Sequence, residues 1–290
     1  MSRVAVVTCH GDVDPDSPYL LAALEAVGLE ASLEVWDDDQ VDWDGFDLCV
    51  IRSTWDYTRH LETFLAWAGG IARLENPLAV VRYSSDKHYL GDLARRGHRV
   101  VDTTFCDVGE EPVFPSGDFV VKPCVGAGSM DADRYAPHEQ ARARAHVAAL
   151  HEQGRDVLIQ PYVESVDHDG ERALIFVEGA FCHAMRKGAM LNTVAHDRHQ
   201  LFRREQVSVV EVEEKAINVA RGVLESLDFP DLLYARVDLV HDGQGWAVLE
   251  LELVEPSLFL SFDATTTATL ARAIQGRLTR HAVDDAERRT

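Results

Sequence analysis

In the run WAVLELELVE, residues 246–255, charged and apolar side chains alternate with a period of two. Only an extended strand has that period. Glu250 and Glu252 then leave one face, while Leu249, Leu251 and Leu253 leave the other toward a core. The run YARVDLV upstream repeats the pattern, with Arg236 and Asp238 on one face opposite Val237 and Leu239. The HDGQG stretch between the two runs is rich in turn residues, so the pair reads as a β-hairpin. With a five-residue loop from Asp242 to Trp246, Asp238 falls opposite Glu250 and Arg236 opposite Glu252. Three carboxylates then share one patch. At about 4 Å and an effective dielectric of about 20, each pair repels by about 4 kcal/mol. A proton, solvent or a cation relieves that repulsion, and a hard divalent cation prefers such oxygen ligands. The alternative is a solvated acidic face on an edge hairpin.

The rest of the chain mixes strands with helices. In the first eighty or so residues the order is β-α-β-β-α, from RVAVVTC through YLLAALEAVG, ASLEVW and DLCVIRS to HLETFLAWAGGIARL. Ser17-Pro18 offers an N-cap and a first-turn proline to the first helix. This order implies an open, mainly parallel sheet with ligand-facing loops at the strand C-termini. One such tip is polar and aromatic: Arg52, Ser53, Thr54, Trp55, Asp56 and Tyr57. Beyond it a helix is expected from about Ser85 to Arg96, then strands RVVDTTF, DFVVKP and DVLIQP, with the helix HEQARARAHVAALHEQG before the last of these. A hairpin turns at Glu178-Gly179, a helix covers EEKAINVARGVLESL, and a final helix of about fifteen residues follows Thr265. The tail, 283–290, reads as disordered. The class is α/β, turning to α+β in the C-terminal part.

Three segments besides the acidic hairpin can do chemistry. Lys122 ends the apolar strand FVVK and precedes the small-residue loop containing Gly126, Gly128 and Ser129. A lysine beside backbone that can approach closely suits a phosphate, although the Lys-Ser/Thr step of a Walker motif is missing. Lys87 is placed in the first turn of the helix after Ser85. In QPYVES, Pro161 interrupts strand pairing and exposes backbone that could read a base edge, with Tyr162 or Val163 to pack on the ring. Each feature alone has a bland counterpart: a surface lysine, an ordinary turn, a strand ending at proline.

The composition narrows the partners. A formal charge of −21 opposes nucleic-acid binding, which rewards a basic surface. No run of about 18 apolar residues suggests a membrane span, and the N-terminus lacks a signal-peptide pattern, so the cytoplasm is expected. The five cysteines are scattered without a C-x-x-C pair, which argues against disulfides and cysteine zinc sites. His183, His196 and His199 form a rival histidine metal site.

Together and in this order, DKHYLGDLARRGHRVVDT, FVVKP, LIQPYVE, GERALIFVEGAFCHAMRK, RVDLV and LELELVEP resemble the ATP-grasp superfamily, in particular its glutathione synthetase and ribosomal-protein glutamate ligase branch. RSTWDY, QPYVES, MRK and ELELVEPSLFL are similar to the subgroup containing the cyclo-ligase of cycloserine biosynthesis, which closes a ring from an O-ureido-serine. The resemblance implies an N-terminal substrate domain over 1–82 and a small lobe with a phosphate lid over 83–163. A large lobe with the metal site would follow over 164–282, the two lobes enclosing a nucleotide cleft. It implies ATP and Mg2+ as cofactors, with Mn2+ as a substitute. Lys87, Lys122, Gly126, Gly128, Ser129, Gln160, Tyr162, Val163 and Glu171 would hold the nucleotide, and Asp238, Glu250 and Glu252 the metal. Arg186 or Lys187 would meet the terminal phosphate, and Arg236 a tetrahedral oxygen or the substrate carboxylate. Arg52, Ser53, Thr54, Asp56 and Tyr57 would touch a small amino-acid-like substrate. The implied reaction turns a carboxylate into an acyl phosphate that an amine captures, within one molecule or between two, in a monomer or homodimer. Glu252 stands where the family usually has asparagine, and Ala173 where many relatives have arginine. A non-catalytic nucleotide-binding protein on the same fold is the other reading.

Overall fold

A computed structural model describes residues 1–11, 14–189 and 206–288, with side chains as far as residue 280. Its first sheet is parallel throughout, in the order β2-β1-β3-β4, from β1 (Arg3–Thr8), β2 (Glu30–Val35), β3 (Leu48–Ser53) and the short β4 (Leu74–Glu75). β1 and β3 are central strands with both faces covered, which is why they read as unbroken apolar runs. Val4 and Val6 pack against Leu20 and Leu24 of α1 (Ser17–Ala26). Ala5 and Val7 pack on the opposite face, with Phe64 and Ala68 of α2 (Leu61–Gly70). Asp16, not Ser17, is the N-cap of α1, and its side chain does not cap the helix. Its carboxylate accepts the N–H groups of Leu258 at 3.0 Å and Leu260 at 2.7 Å instead.

The helix expected from Ser85 to Arg96 starts later, as α4 (Tyr89–Arg95), and a separate short helix, α3 (Leu78–Ser84), ends just before Ser85. Between them the Lys87 N–H donates to the Cys124 carbonyl at 2.9 Å, so Lys87 lies in a turn rather than in a helix. Gly97 ends α4 at φ +89, a conformation that costs glycine little.

The small lobe is antiparallel, ordered β5-β8-β6-β7, from β5 (Thr104–Cys106), β6 (Phe119–Pro123), β7 (Asp133–Tyr135) and β8 (Val157–Pro161). Its own core packs α5 (Gln140–His151) through Ala143, Val147 and Leu150. β5 is shorter than RVVDTTF suggests, because Val101 N–H donates to Val248 O at 2.9 Å in the other lobe. The large lobe is also antiparallel, ordered β11-β10-β9-β12-β13. Its strands are β9 (Glu171–Val177), β10 (Ala180–Lys187), β11 (Val207–Val209), β12 (Tyr234–His241) and β13 (Trp246–Glu252). The β9–β10 turn places Glu178 and Gly179 at positive φ, as a tight hairpin with right-handed strand twist requires.

α6 (Glu214–Glu225) covers one face of this sheet through Ala216, Ala220 and Val223, against Leu174 and Phe176. α7 (Ala264–Arg288) covers the other, where Leu270 and Ile274 share a core with Ile175 and Val177. That core also holds Val4, Val6 and Leu20, so the parallel sheet and the large lobe are fused. α7 is longer than the fifteen or so residues expected and its backbone continues as far as Arg288, into the tail expected to be disordered. Ala, Glu and Arg there are good helix formers, and no glycine or proline follows Gly276 to stop the helix. Among the described residues no helix is long and apolar enough to cross a membrane.

Candidate active site

The hairpin β12–β13 pairs Asp238 with Glu250 and Arg236 with Glu252, the register expected, but it reaches that register by another route. His241 pairs with Trp246, so the loop holds one residue fewer than assumed. Carried on regularly, that register would set Leu249 opposite Asp238 and turn both glutamates to the other face. An irregularity between Asp238 and Leu239 absorbs one residue: Leu239 pairs with Val248 and Asp238 with Glu250. Leu249 is the residue left over; it lines a cavity and packs, half-buried, against the small cluster of Val101, Val166, Val240 and Ala247.

This cavity, about 380 Å³, lies between the small and large lobes under the end of the parallel sheet. Asp238, Glu250 and Glu252 each offer an oxygen within 4.8 Å of the other two. Cations interleave them. Lys187 Nζ is 2.8 Å from Asp238 and 3.1 Å from Glu171, and Lys87 Nζ is 2.9 Å from Glu250. Arg236 reaches Asp238 through Nε at 2.9 Å and Nη2 at 3.0 Å, and also donates to Glu252. Burial pushes the fully enclosed Asp238 carboxyl up, but Arg236 and Lys187 together pull it below its ordinary range. Burial also works against ionised Glu250, yet Lys87, Lys122 and Lys187 outweigh it and hold the carboxyl down at about 2. For Glu252 burial wins: with Glu250 and Asp238 nearby, Arg236 does not offset it, and the carboxyl sits at about 7. Lys87 loses to burial but gains more from Glu250, and its ammonium is held more firmly than usual.

The opposite wall comes from the small lobe. Lys122 projects from β6; burial lowers its proton affinity, and Glu250 compensates only in part. It makes no side-chain hydrogen bond among the described residues. Gly126, Gly128 and Ser129 line the cavity, and Lys87 Nζ donates to Gly126 O at 2.5 Å. Gly128 and Ser129 both lie at positive φ, where the chain turns sharply. Gln160, Tyr162, Val163 and Glu171 also line the cavity. The segment after Gln160 is less open than expected. Pro161 still pairs with Phe119, and the Tyr162 N–H is taken by Asp118 O at 2.8 Å.

The other expected site residues divide. Of the alternatives Arg186 and Lys187, the structure brings Lys187 to the cavity. Arg186 points to the other side of β10 and donates to Asp169 O and His168 O, each at 2.8 Å. In the loop Arg52–Tyr57, Trp55 and Tyr57 reach the cavity, while Arg52, Ser53, Thr54 and Asp56 do not line it. Arg52 is buried under the segment after β13, donating to Pro256 O at 2.7 Å. Ser53 donates to Thr8 Oγ1 at 2.8 Å, Thr54 is fully enclosed, and Asp56 accepts from Trp36 Nε1 at 2.8 Å. β3 ends inside the molecule, which is why its polar tip meets protein. His183 is buried with Nδ1 2.9 Å from Thr266 Oγ1; His196 and His199 lie outside the described residues.

One wall residue has no counterpart among those expected. Glu255 lines the cavity, and burial, reinforced by Glu252, pushes its carboxyl up to about 8. It breaks the period that marks Glu250 and Glu252, so alternation gives no sign of it. Its sign in the sequence was its place in ELELVEPSLFL, one of the runs that carry the subgroup resemblance.

The family described as D-cycloserine synthetase DcsG, N-terminal domain, matches residues 4–79. Over 286 residues the chain is 38% identical to the cycloserine biosynthesis protein DcsG of Streptomyces lavendulae, covering 92% of this chain and 95% of that one. The chain belongs to the DcsG family of ATP-grasp ligases. The crystal structure of D-cycloserine synthetase DcsG matches with a TM-score of 0.87 at 36% identity, over 96% of this chain and 100% of that one. D-alanine–D-alanine ligase from Bacillus anthracis, solved with ATP, shares the fold at a TM-score of 0.70 and 14% identity, over 98% of this chain and 100% of that one. The protein is therefore an ATP-dependent ligase, and the superfamily resemblance drawn from six ordered motifs holds.

Proposed function

We propose that the cavity binds ATP with Mg2+ and activates the carboxylate of a small amino-acid-like substrate as an acyl phosphate. An amine of the same molecule then captures it and closes a ring, with release of ADP and phosphate. The observation that carries this reading is the convergence of Glu250 and Glu252, with Asp238 enclosed just behind them, three lysines and a glycine-bearing loop on one space. The kinship with a cycloserine biosynthesis protein supports the ring closure.

The residues fit the nucleotide and the metal. Lys122 holds a half-buried positive charge that no side chain among the described residues neutralises by direct contact, as suits a phosphate site. Asp238, Glu250 and Glu252 offer oxygens at the spacing of a divalent cation's ligands. When bound, the metal supplies positive charge at the phosphoryl oxygens. Lys87 and Lys122 hold phosphates from the two walls, and the loop Gly126–Ser129 closes over them to exclude water. Lys187, beside Glu171 and Asp238, brings a further cation to the end of the phosphate chain. Arg236, clamped by Asp238 and Glu252, presents a fixed guanidinium where negative charge develops on the substrate carbonyl oxygen.

The test is an ADP-release screen over amino acids and their O-ureido and aminooxy derivatives, with Mg2+ or Mn2+ and mass detection of products. Turnover with a product one water lighter than a single substrate molecule is expected. A product joining two molecules would make the reaction intermolecular. Tight ATP binding without turnover of any carboxylate would sink the ligase assignment for these substrates.

A further inference from the structure

The acidic groups of the cavity fall into two sets. Asp238, Glu250, Glu252 and Glu171 each touch a lysine or arginine. Glu255 does not. Glu255 is 8% exposed and lines the same cavity beside Tyr57, and no lysine or arginine among the described residues pairs with its carboxylate; Lys87 acts on it only through space. A carboxylate has about four acceptor positions, and the neighbouring Tyr57 hydroxyl can fill one at most, which leaves the rest open to the cavity.

The backbone under this side chain is held from several directions. Trp55 Nε1 donates to Glu255 O at 3.2 Å and Arg52 Nη2 to Pro256 O at 2.7 Å. Arg236 Nη1 donates to Ser257 O at 3.2 Å, and Asp16 accepts from Leu258 N–H at 3.0 Å. Four contacts from distant parts of the chain thus fix residues 255–258. A carboxylate so enclosed and so rigidly mounted is preorganised for a partner that brings positive charge or strong N–H donors.

We propose that Glu255 is the specificity-determining residue of the site and that it accepts the N–H groups of a cationic amino group on the substrate. This rests on the ligase reading above and deepens it: the molecule whose carboxylate is activated must carry an amine as well. On this view the Arg52–Tyr57 loop serves the substrate at one remove, Tyr57 by orienting the carboxylate and Arg52 and Trp55 by holding its backbone. A site built to hydrogen-bond a polar group rejects the analogue lacking it, because its own buried group is then left unpaired.

The experiment compares wild type, Glu255→Gln and Tyr57→Phe as full-length proteins, with O-ureido-serine and its des-amino counterpart as probes. ADP release at saturating Mg-ATP gives the ratio of kcat/KM values for the pair. Wild type is expected to prefer the amino-bearing probe by about 10²-fold or more. Glu255→Gln should collapse that preference through the KM of the probe rather than that of ATP, and Tyr57→Phe should reduce it by about fivefold. An unchanged preference in Glu255→Gln overturns the assignment. So does a loss that is restored by raising Mg2+, which would make Glu255 a metal ligand. If wild type releases no ADP with either probe, the ligase reading fails for them, and calorimetric binding of the same pair beside a non-hydrolysable ATP analogue decides Glu255. A preference for the amine that Glu255→Gln removes supports the proposal, and its absence overturns it.

Discussion

On β12 and β13 Asp238, Glu250 and Glu252 are each matched by a cation at hydrogen-bonding distance, whereas on β6, across the cavity, Lys122 makes no side-chain hydrogen bond among the described residues. The large-lobe wall is close to neutral in itself, and its charges hold the fold as well as serve the site. The small-lobe wall carries a charge that burial disfavours and that gives the fold little in return. The difference teaches that two buried ionic groups in one cavity can carry opposite costs. Removing one partner of a paired group strands the other, while removing an unpaired group strands nothing.

The largest expected effects test that contrast directly. Asp238→Asn should lower kcat/KM by about 10³-fold or more, and should destabilise the protein by about 3–5 kcal/mol because Lys187 and Arg236 lose their shared anion. Lys122→Met should cost activity by about 10²–10³-fold yet leave urea unfolding within about 1 kcal/mol of wild type. If both variants were equally destabilised, the contrast between the walls would be wrong.

A smaller effect concerns pH, measured by urea unfolding of ligand-free protein in chelator. The folded Glu250 carboxyl lies at about 2, below its ordinary 4.5, so the unfolded chain takes up the proton first. Its contribution is present above about pH 4.5 and is lost as pH falls toward 2. Glu252 and Glu255 behave oppositely: raised to about 7 and about 8, they hold their protons longer in the folded state. Stability should therefore decline from this source as pH rises through the window between about 4.5 and 8. Glu255→Gln should gain about 1–2 kcal/mol on wild type at the alkaline end of that window and nothing at its acid end. A gain of equal size at both ends would mean that the carboxylate's charge is not the cause. Smallest of all, Trp55→Phe removes one hydrogen bond to Glu255 O and should cost about 1 kcal/mol, with a few-fold rise in the KM of the substrate. An effect on the KM of ATP instead would place Trp55 on the nucleotide side.

Much of the site was legible because strand alternation is local. Glu250 and Glu252 had to share a face, and so did Arg236 and Asp238, whatever surrounded them. The strand-helix order of the first eighty or so residues, the turn at Glu178-Gly179 and the glycine loop after Lys122 were likewise visible in a few neighbouring residues. The loop Arg52–Tyr57 was only partly legible for the same reason in reverse: Trp55 and Tyr57 reach the cavity, but Arg52, Ser53, Thr54 and Asp56 do not. A polar, aromatic tip after a strand looks alike whether it faces ligand or protein, and here Pro256 and Trp36 claim Arg52 and Asp56.

The sequence by itself thus determined which side chains leave a strand together, where helices and tight turns form, and that acids and lysines recur in a family order. Only the tertiary structure decided that Leu249 would be the odd residue out that carries both glutamates back to the same face as Asp238. It also decided that Lys87 would sit in a turn held by Cys124, that Lys187 rather than Arg186 would face the cavity, and that Glu255 would be mounted beside Tyr57. The physical reason is range. Periodicity follows from the dihedral angles of adjacent residues, whereas burial, register and ion pairing depend on which distant segment occupies the other side.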